Sequence, residues 1–335
     1  RSTLFPYTTL FRSWLTSGKE LDLSVEIAGV RWKNPITTAS GTFTLNARAC
    51  YDIGRLGAVT AKGISTVPWP GNKTPRIAET YGGMLNAVGL QNVGMEAWIR
   101  DELPALRSVP GLPIIANIVG KTVEEYAAVA ARLSETDVDM IELNISCPNV
   151  KEGGIAFGTT VEGVYATTAA VRKAAKKPLI VKLSPNVTQI CDMAKAAADA
   201  GADALSLINT LLGMKIDVYR RQVVLANKTG GLSGPGIHPI AVRMVYEVRR
   251  AVPLPIIGMG GVMSGEDAAE LILAGADAVA VGTAALLTPD APIRILGELQ
   301  TVLRKIGVTS VRELKNSLIE PAWKERVNQD RKSVV

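Results

Sequence analysis

Short apolar, β-branched runs recur along this chain with alanine-rich amphipathic stretches between them, the alternation that builds βαβ units around a parallel sheet. Eight runs read as strands: Ile36–Ala39, Ala58–Lys62, Ile114–Ile118, Met140–Asn144, Leu179–Leu183, Ala204–Ile208, Ile256–Met259 and Ala278–Val281. Helical spacing predicts helices over Val123–Leu133, Val161–Ala175, Val187–Ala200, Pro239–Ala251 and Gly265–Ala274. Two near-repeats, Gly201-Ala202-Asp203 and Gly275-Ala276-Asp277, each read as a glycine helix stop running into the next strand. Eight strands predict a closed α/β barrel of the (β/α)8 TIM type in one large domain. The alternating piece Leu23–Lys33, with Ala28-Gly29 at its centre, predicts a β-hairpin that caps the barrel. Long active-site loops are expected after strands 2, 4 and 6. The longest are Ser65–Asn92 and Thr210–Gly236, at the strand C-termini where barrels build their sites.

Composition narrows the class without naming a reaction. The 335 residues are 47% hydrophobic and 20% charged, enough for a full core. No uncharged apolar run of about 18 residues occurs, so no membrane helix is expected. Residues 1–20 read as a non-native or disordered extension, its basic start too broken by Pro6 and threonines for a signal peptide. Residues 21–312 read as the barrel, and 313–335 as a helical or disordered tail whose last residues are also non-native. The formal charge of +6 falls to +3 without the basic ends 1–13 and 330–335, too little to argue for nucleic acid. Three scattered cysteines, Cys50, Cys147 and Cys191, suggest no disulfide framework and no zinc or iron–sulfur site, and fit a reducing cytoplasm. The single histidine, His238, argues against chemistry that needs a histidine cluster. No metal is expected, and His238 reads as a helix-start residue.

Chemistry concentrates in the run Asn144-Ile145-Ser146-Cys147-Pro148-Asn149, which sets a thiol between amides just past a strand. A thiol with a reference pKa of about 8.5 can act near neutrality as a general base or a nucleophile. A barrel gathers its strand C-termini on one face, which brings together Ser40, Lys62, Asn117, Asn144, Lys182 and Asn209. Asparagines suit a planar ligand with amide and carbonyl edges, and lysines suit a carboxylate or a developing anion. Singly, asparagines often cap turns and lysines often snorkel to solvent; the joint placement is what argues for a site. Strands 7 and 8 end in Gly258-Met259-Gly260-Gly261 and Gly282-Thr283, where backbone N–H groups can approach a phosphate. A phosphorylated cofactor such as flavin mononucleotide fits that pattern. No Gly-x-Gly-x-x-Gly follows the first strand, so a nicotinamide site in this chain is not expected. Glu142 and Asn144 point the same way, and the strand of Lys182 should lie alongside, which predicts a Glu142–Lys182 pair inside the barrel.

On these residues the chain resembles the class 1 dihydroorotate dehydrogenases from about Leu23 to Val302. The motifs are Ala39-Ser40-Gly41, Gly83 to Asn92, Glu142 to Asn149, Val181 to Asn186, Ile208-Asn209-Thr210, Gly230 to Pro235 and Gly258 to Gly261. The resemblance implies oxidation of (S)-dihydroorotate to orotate in de novo pyrimidine biosynthesis, with FMN bound by this chain. It implies Cys147 as base for the C5 proton while hydride passes from C6 to the flavin N5, and Lys182 as a second catalytic residue beside the flavin. Implied substrate contacts are Lys62, Asn86, Gly89, Leu90, Asn144, Asn209 and Thr210. Implied cofactor contacts are Ser40, Lys62, Gly63, Asn117, Asn144, Lys182, Ile208, Gly234, Gly260, Gly261, Gly282 and Thr283. Residues Asn149 to Gly158 look more like the NAD-linked type 1B than the fumarate-linked type 1A. Type 1B implies a cytoplasmic heterotetramer, a homodimer core joined by subunits that carry FAD and a [2Fe–2S] cluster. Open alternatives are type 1A, a dihydropyrimidine dehydrogenase-like flavin subunit, and a phosphate-binding barrel lyase or isomerase with Lys182 as Schiff base.

Overall fold

The structure is a computed structural model that describes residues 20–146 and 157–320. It opens on an antiparallel hairpin of β1 (Val25–Ile27) and β2 (Val30–Trp32). Ala28 and Gly29 join the two with φ of 50° and 81°, as a two-residue turn of the hairpin type requires. There follow β3 (Ile36–Thr38), β4 (Val59–Thr60), β5 (Ile77–Thr80), β6 (Gly83–Asn86), β7 (Ile114–Ile118), β8 (Met140–Asn144), β9 (Leu179–Lys182) and β10 (Ala204–Leu207). After these come β11 (Leu211–Met214), β12 (Ile216–Asp217), β13 (Gln222–Val223), β14 (Thr229–Ser233), β15 (Ile256–Met259) and β16 (Ala278–Val281).

Eight of these form one parallel sheet in the order β3-β16-β15-β10-β9-β8-β7-β4, with helices between successive strands. Closure between the two end strands combines one backbone bond, from the Gly57 N–H to the Ile36 carbonyl at 2.9 Å, with threonines. The Thr60 backbone N–H donates to Thr38 Oγ1 at 3.0 Å, and Thr37 Oγ1 meets Thr60 Oγ1 at 3.5 Å. The second strand, Val59–Thr60, is shorter than the expected Ala58–Lys62, although backbone bonding to the β7 side runs on through the Ala61 amide. The helix expected from Val187 begins at Ile190; the other four expected helices start within one residue of their predicted positions.

The floor of the barrel is sealed and braced. Ile27 and Trp32 of the hairpin are fully buried and pack with Ala58, Met140, Ile180, Ala204 and Ala278, inward-facing residues near the strand N-termini. The expected cap is thus a plug of the N-terminal end. Around it one clamp repeats three times. Asp139, Asp203 and Asp277 each stand just before a strand and accept from the first backbone N–H of the preceding barrel strand, that of Ile114, Leu179 or Ile256, at 2.7, 2.7 and 2.9 Å. Each also pairs with an arginine from a helix: Arg107, Arg172 and Arg249 at 2.7, 2.5 and 3.1 Å. A carboxylate that accepts from both a guanidinium and a backbone amide is charge-assisted twice over, which makes it a strong local tie. Gly201 and Gly275, with φ of 93° and 118°, end the helices that lead into two of these clamps, as the repeated Gly-Ala-Asp pattern predicts.

At the opposite end the two long connections meet. Residues of the loop after β4 supply β5 and β6, those after β10 supply β11 and β14, and together they make a four-stranded antiparallel sheet, β11-β14-β6-β5, over the barrel mouth. The loop expected after the fourth barrel strand falls on residues 147–156, outside the described residues.

Candidate active site

The barrel mouth and its covering sheet enclose a cavity of about 270 Å³. Its walls bring together Ser40, Lys62, Gly63, Asn86, Gly89, Leu90, Asn144, Lys182, Ile208, Asn209, Thr210, Gly260, Gly261, Gly282 and Thr283. Two other expected residues stand just off it: Asn117 beneath the wall, hydrogen-bonded to wall residue Asn144, and Gly234 behind Gly261. Cys147 lies outside the described residues; the chain reaches it directly from Ser146.

A buried polar network sets the asparagines. Asn144 lies level with Lys182 on the neighbouring strand, and Lys182 in turn lies level with Ser206 on β10. The Asn144 side-chain amide donates to Asn117 Oδ1 at 3.4 Å, while its own Oδ1 accepts from Ser146 Oγ at 3.0 Å and from Asn209 Nδ2 at 3.5 Å. Asn209 Nδ2 also donates to Ser146 Oγ at 2.8 Å, and Tyr126 fixes the Asn144 backbone by donating to its carbonyl at 2.9 Å. Below them Glu142 accepts from Asn117 and, at 2.7 Å, from Ser206 Oγ. The Glu142–Lys182 pair expected from strand spacing is not made. Adjacency holds, but the register sets Lys182 opposite Asn144 and leaves Glu142 to two neutral donors one step deeper. Buried groups so connected hold one another in place, because an unmade bond there costs about 1–3 kcal/mol.

Both expected lysines reach the cavity. Lys182 is 4% exposed, and its ammonium makes no hydrogen bond or ion pair among the described residues. Lys62 is half-buried, and burial pushes its ammonium below the ordinary lysine range, with Glu102 opposing the shift and Arg76 adding to it. Burial likewise raises the Glu102 carboxyl, against the pull of Lys62. Two cations without a carboxylate on the cavity wall create a place for an anion.

Glycines line the side opposite. Gly260 and Gly261 follow β15 with φ of 130° and 70°; a Cβ on Gly261 would stand 2.7 Å from the Gly234 carbonyl and 2.9 Å from the His238 amide nitrogen. Gly282 leads into Thr283, whose Oγ1 donates to Ser233 Oγ at 2.8 Å. Ile208, Met259, Ala280 and Ala39 give this part of the cavity an apolar surface. A close-approach backbone cradle, an apolar bed and amide edges match a flat heteroaromatic ring that carries a phosphate.

Several lining residues were not foreseen: Thr42, Ile77, Met84, Val88, Ser233 and Leu286. Ile77 and Met84 enter through pairing between distant loops, which no local pattern reveals. Ser206, the anchor of Glu142, carried a weak signal as the one polar residue in the strand Ala204–Leu207.

The family model described as Dihydroorotate dehydrogenase matches residues 22–303. Among curated proteins, the chain is 55% identical over 296 residues to the "Dihydroorotate dehydrogenase B (NAD(+)), catalytic subunit" of Lachnoclostridium phytofermentans, covering 88% of this chain and 98% of that protein. A protein of the same name from Geobacter metallireducens is 56% identical over 303 residues, covering 90% and 99%. One from Alkaliphilus metalliredigens is 54% identical over 301 residues, covering 89% and 99%.

Proposed function

The chain belongs to the dihydroorotate dehydrogenase family of flavin-dependent oxidoreductases, and on that premise we propose that it oxidises (S)-dihydroorotate to orotate with FMN in the barrel-mouth cavity. The observation that carries this reading is the cavity wall, where two lysines, with no carboxylate among the described lining residues, flank an asparagine array opposite a glycine cradle. Gly260, Gly261, Gly282 and Thr283 would hold the phosphate, and Ser40, Gly63, Ile208 and Lys182 the ring, with Asn117 and Gly234 supporting from behind. Bound there, the flavin supplies a two-electron acceptor for hydride.

The chain's own residues supply the rest. Asn144, Asn209, Asn86 and Thr210 present donors and acceptors to the edges of a pyrimidine ring, and the buried network beneath holds two of them at fixed angles. Lys62 offers its ammonium to the substrate carboxylate, a partner that its partial desolvation strengthens. Gly89 and Leu90, with φ of 74° and 54°, curve the loop against the same space. Cys147 takes the C5 proton as general base. Lys182 keeps a positive charge at the wall, where it favours negative charge that develops during the reaction.

The relatives' names support an NAD-linked reaction in which this chain is the catalytic member of a larger assembly. The partner would carry FAD and a [2Fe–2S] cluster and join a homodimer of this chain in the cytoplasm. Among the described residues no helix is long and apolar enough to cross a membrane. The test is an anaerobic absorbance spectrum of the purified chain. Oxidised-flavin bands that bleach on addition of dihydroorotate are expected; a flavin that ignores dihydroorotate would sink the substrate assignment, and a chain that cannot take up FMN would sink the cofactor.

A further inference from the structure

Behind the glycine cradle lies a cluster that the proposed redox chemistry does not use. His238 begins the helix His238–Ala251, and Asp267 and Glu270 lie one turn apart on the helix Gly265–Leu273. The imidazole is more than nine-tenths buried. Its Nδ1 stands 2.8 Å from the Gly260 carbonyl. A carbonyl only accepts, so Nδ1 carries the proton, and in the neutral ring Nε2 is left with a lone pair. That nitrogen forms no hydrogen bond. It faces Glu270 Oε2 at 3.2 Å and Asp267 Oδ1 at 3.8 Å. A lone pair aimed at two carboxylates is repulsive until something positive sits between them.

We propose that His238 Nε2, Asp267 Oδ1 and Glu270 Oε2 bind a divalent transition-metal ion of the zinc class. The three donor atoms lie within 4.8 Å of one another. Around a tetrahedral ion with bonds of about 2.0–2.1 Å, neighbouring donors stand roughly 3.3 Å apart, so small adjustments complete the shell and leave one position for water. The outer shell is already built. The second imidazole nitrogen donates to a backbone carbonyl, the arrangement that fixes tautomer and ring angle in metal-bound histidines. Asp267 commits its other oxygen, Oδ2, to the amides of Met263 and Ser264 at 2.8 and 2.9 Å and to Ser264 Oγ at 3.0 Å, which leaves Oδ1 to coordinate. The ion would tie the starts of two helices to Gly260, and so link metal occupancy to the shape of the cradle. The site depends on no assumption about the redox substrate.

His238 is the only histidine of the chain, so one imidazole signal reports the site. The flavin-loaded, untagged protein is ring-labelled with [15N]histidine and titrated with Zn2+, and NMR spectra and calorimetry are recorded together. One equivalent is expected to bind and to move the Nε2 resonance, and Glu270→Gln, a change on a largely exposed side chain, to weaken binding at least about tenfold. His238→Gln should abolish it. Absence of binding, binding that leaves the imidazole signal in place, or equal affinity in Glu270→Gln would each overturn the proposal.

Discussion

The two ends of the barrel solve opposite problems with the same residue types. At the N-terminal end each strand-start aspartate has an arginine and a backbone amide, and the hairpin fills the opening with Ile27 and Trp32. At the C-terminal end Lys62 and Lys182 face a cavity without a carboxylate partner on its wall, and glycines replace side chains where the backbone must come close to a ligand. Charge is neutralised where only stability is at stake, and left open where a ligand completes it. The contrast shows how one scaffold separates folding from chemistry: the floor pairs its own charges, and the mouth depends on what binds.

The sharpest way to break this contrast is at the mouth. Cys147→Ser should slow flavin bleaching by dihydroorotate about 10²–10⁴-fold, the usual range for a lost general base, with FMN content unchanged; stopped-flow under anaerobic conditions reads it. Loss of flavin would mean that the residue supports the cavity instead. At the floor, Trp32→Ala should destabilise the fold by about 3–5 kcal/mol in denaturant titration while the bleaching rate of the folded fraction holds. Asp277→Ala, which releases Arg249, Lys315 and the Ile256 amide, should cost about 1–3 kcal/mol, again without a change in bleaching. A floor variant with altered redox behaviour would contradict the separation.

The smallest effect concerns pH. Burial lowers the Lys62 pKa, so the folded chain holds this proton less tightly than the unfolded one, and this group's contribution to stability improves as pH rises toward the ordinary lysine value of 10.5. Function runs the other way, because the charged ammonium is lost earlier than in a free lysine. KM for dihydroorotate should therefore begin to climb below pH 10.5, and Lys62→Met should show a high KM without that alkaline rise.

The sequence made the scaffold legible because each barrel strand is a buried apolar run closed off by a turn or a glycine, and each cue is local. The strand-end polar set was readable for the same reason, since a parallel barrel sends every strand C-terminus to one face. Partners across the barrel were not readable. Strand spacing placed Glu142 beside the strand of Lys182, but its real donors depend on register and on Ser206 inside an apolar strand. Ile77 and Met84 were missed because they reach the cavity only after two remote loops pair. His238 reads correctly as the start of a helix, yet its neighbours Asp267 and Glu270 come from a different αβ unit.

The sheet over the mouth also imposes an order of events on the ribosome. β6 finds its partner β14 only after the chain has grown by the 145 residues that separate Asn86 from Gly231. At synthesis rates of about 5–20 residues per second this is on the order of ten seconds, during which the β5–β6 ribbon emerges with an open edge. A nascent chain interrupted in that interval would hold much of a scaffold and none of its enclosure. Competence to bind ligand is thus reached late in translation, when most of the barrel has already been made.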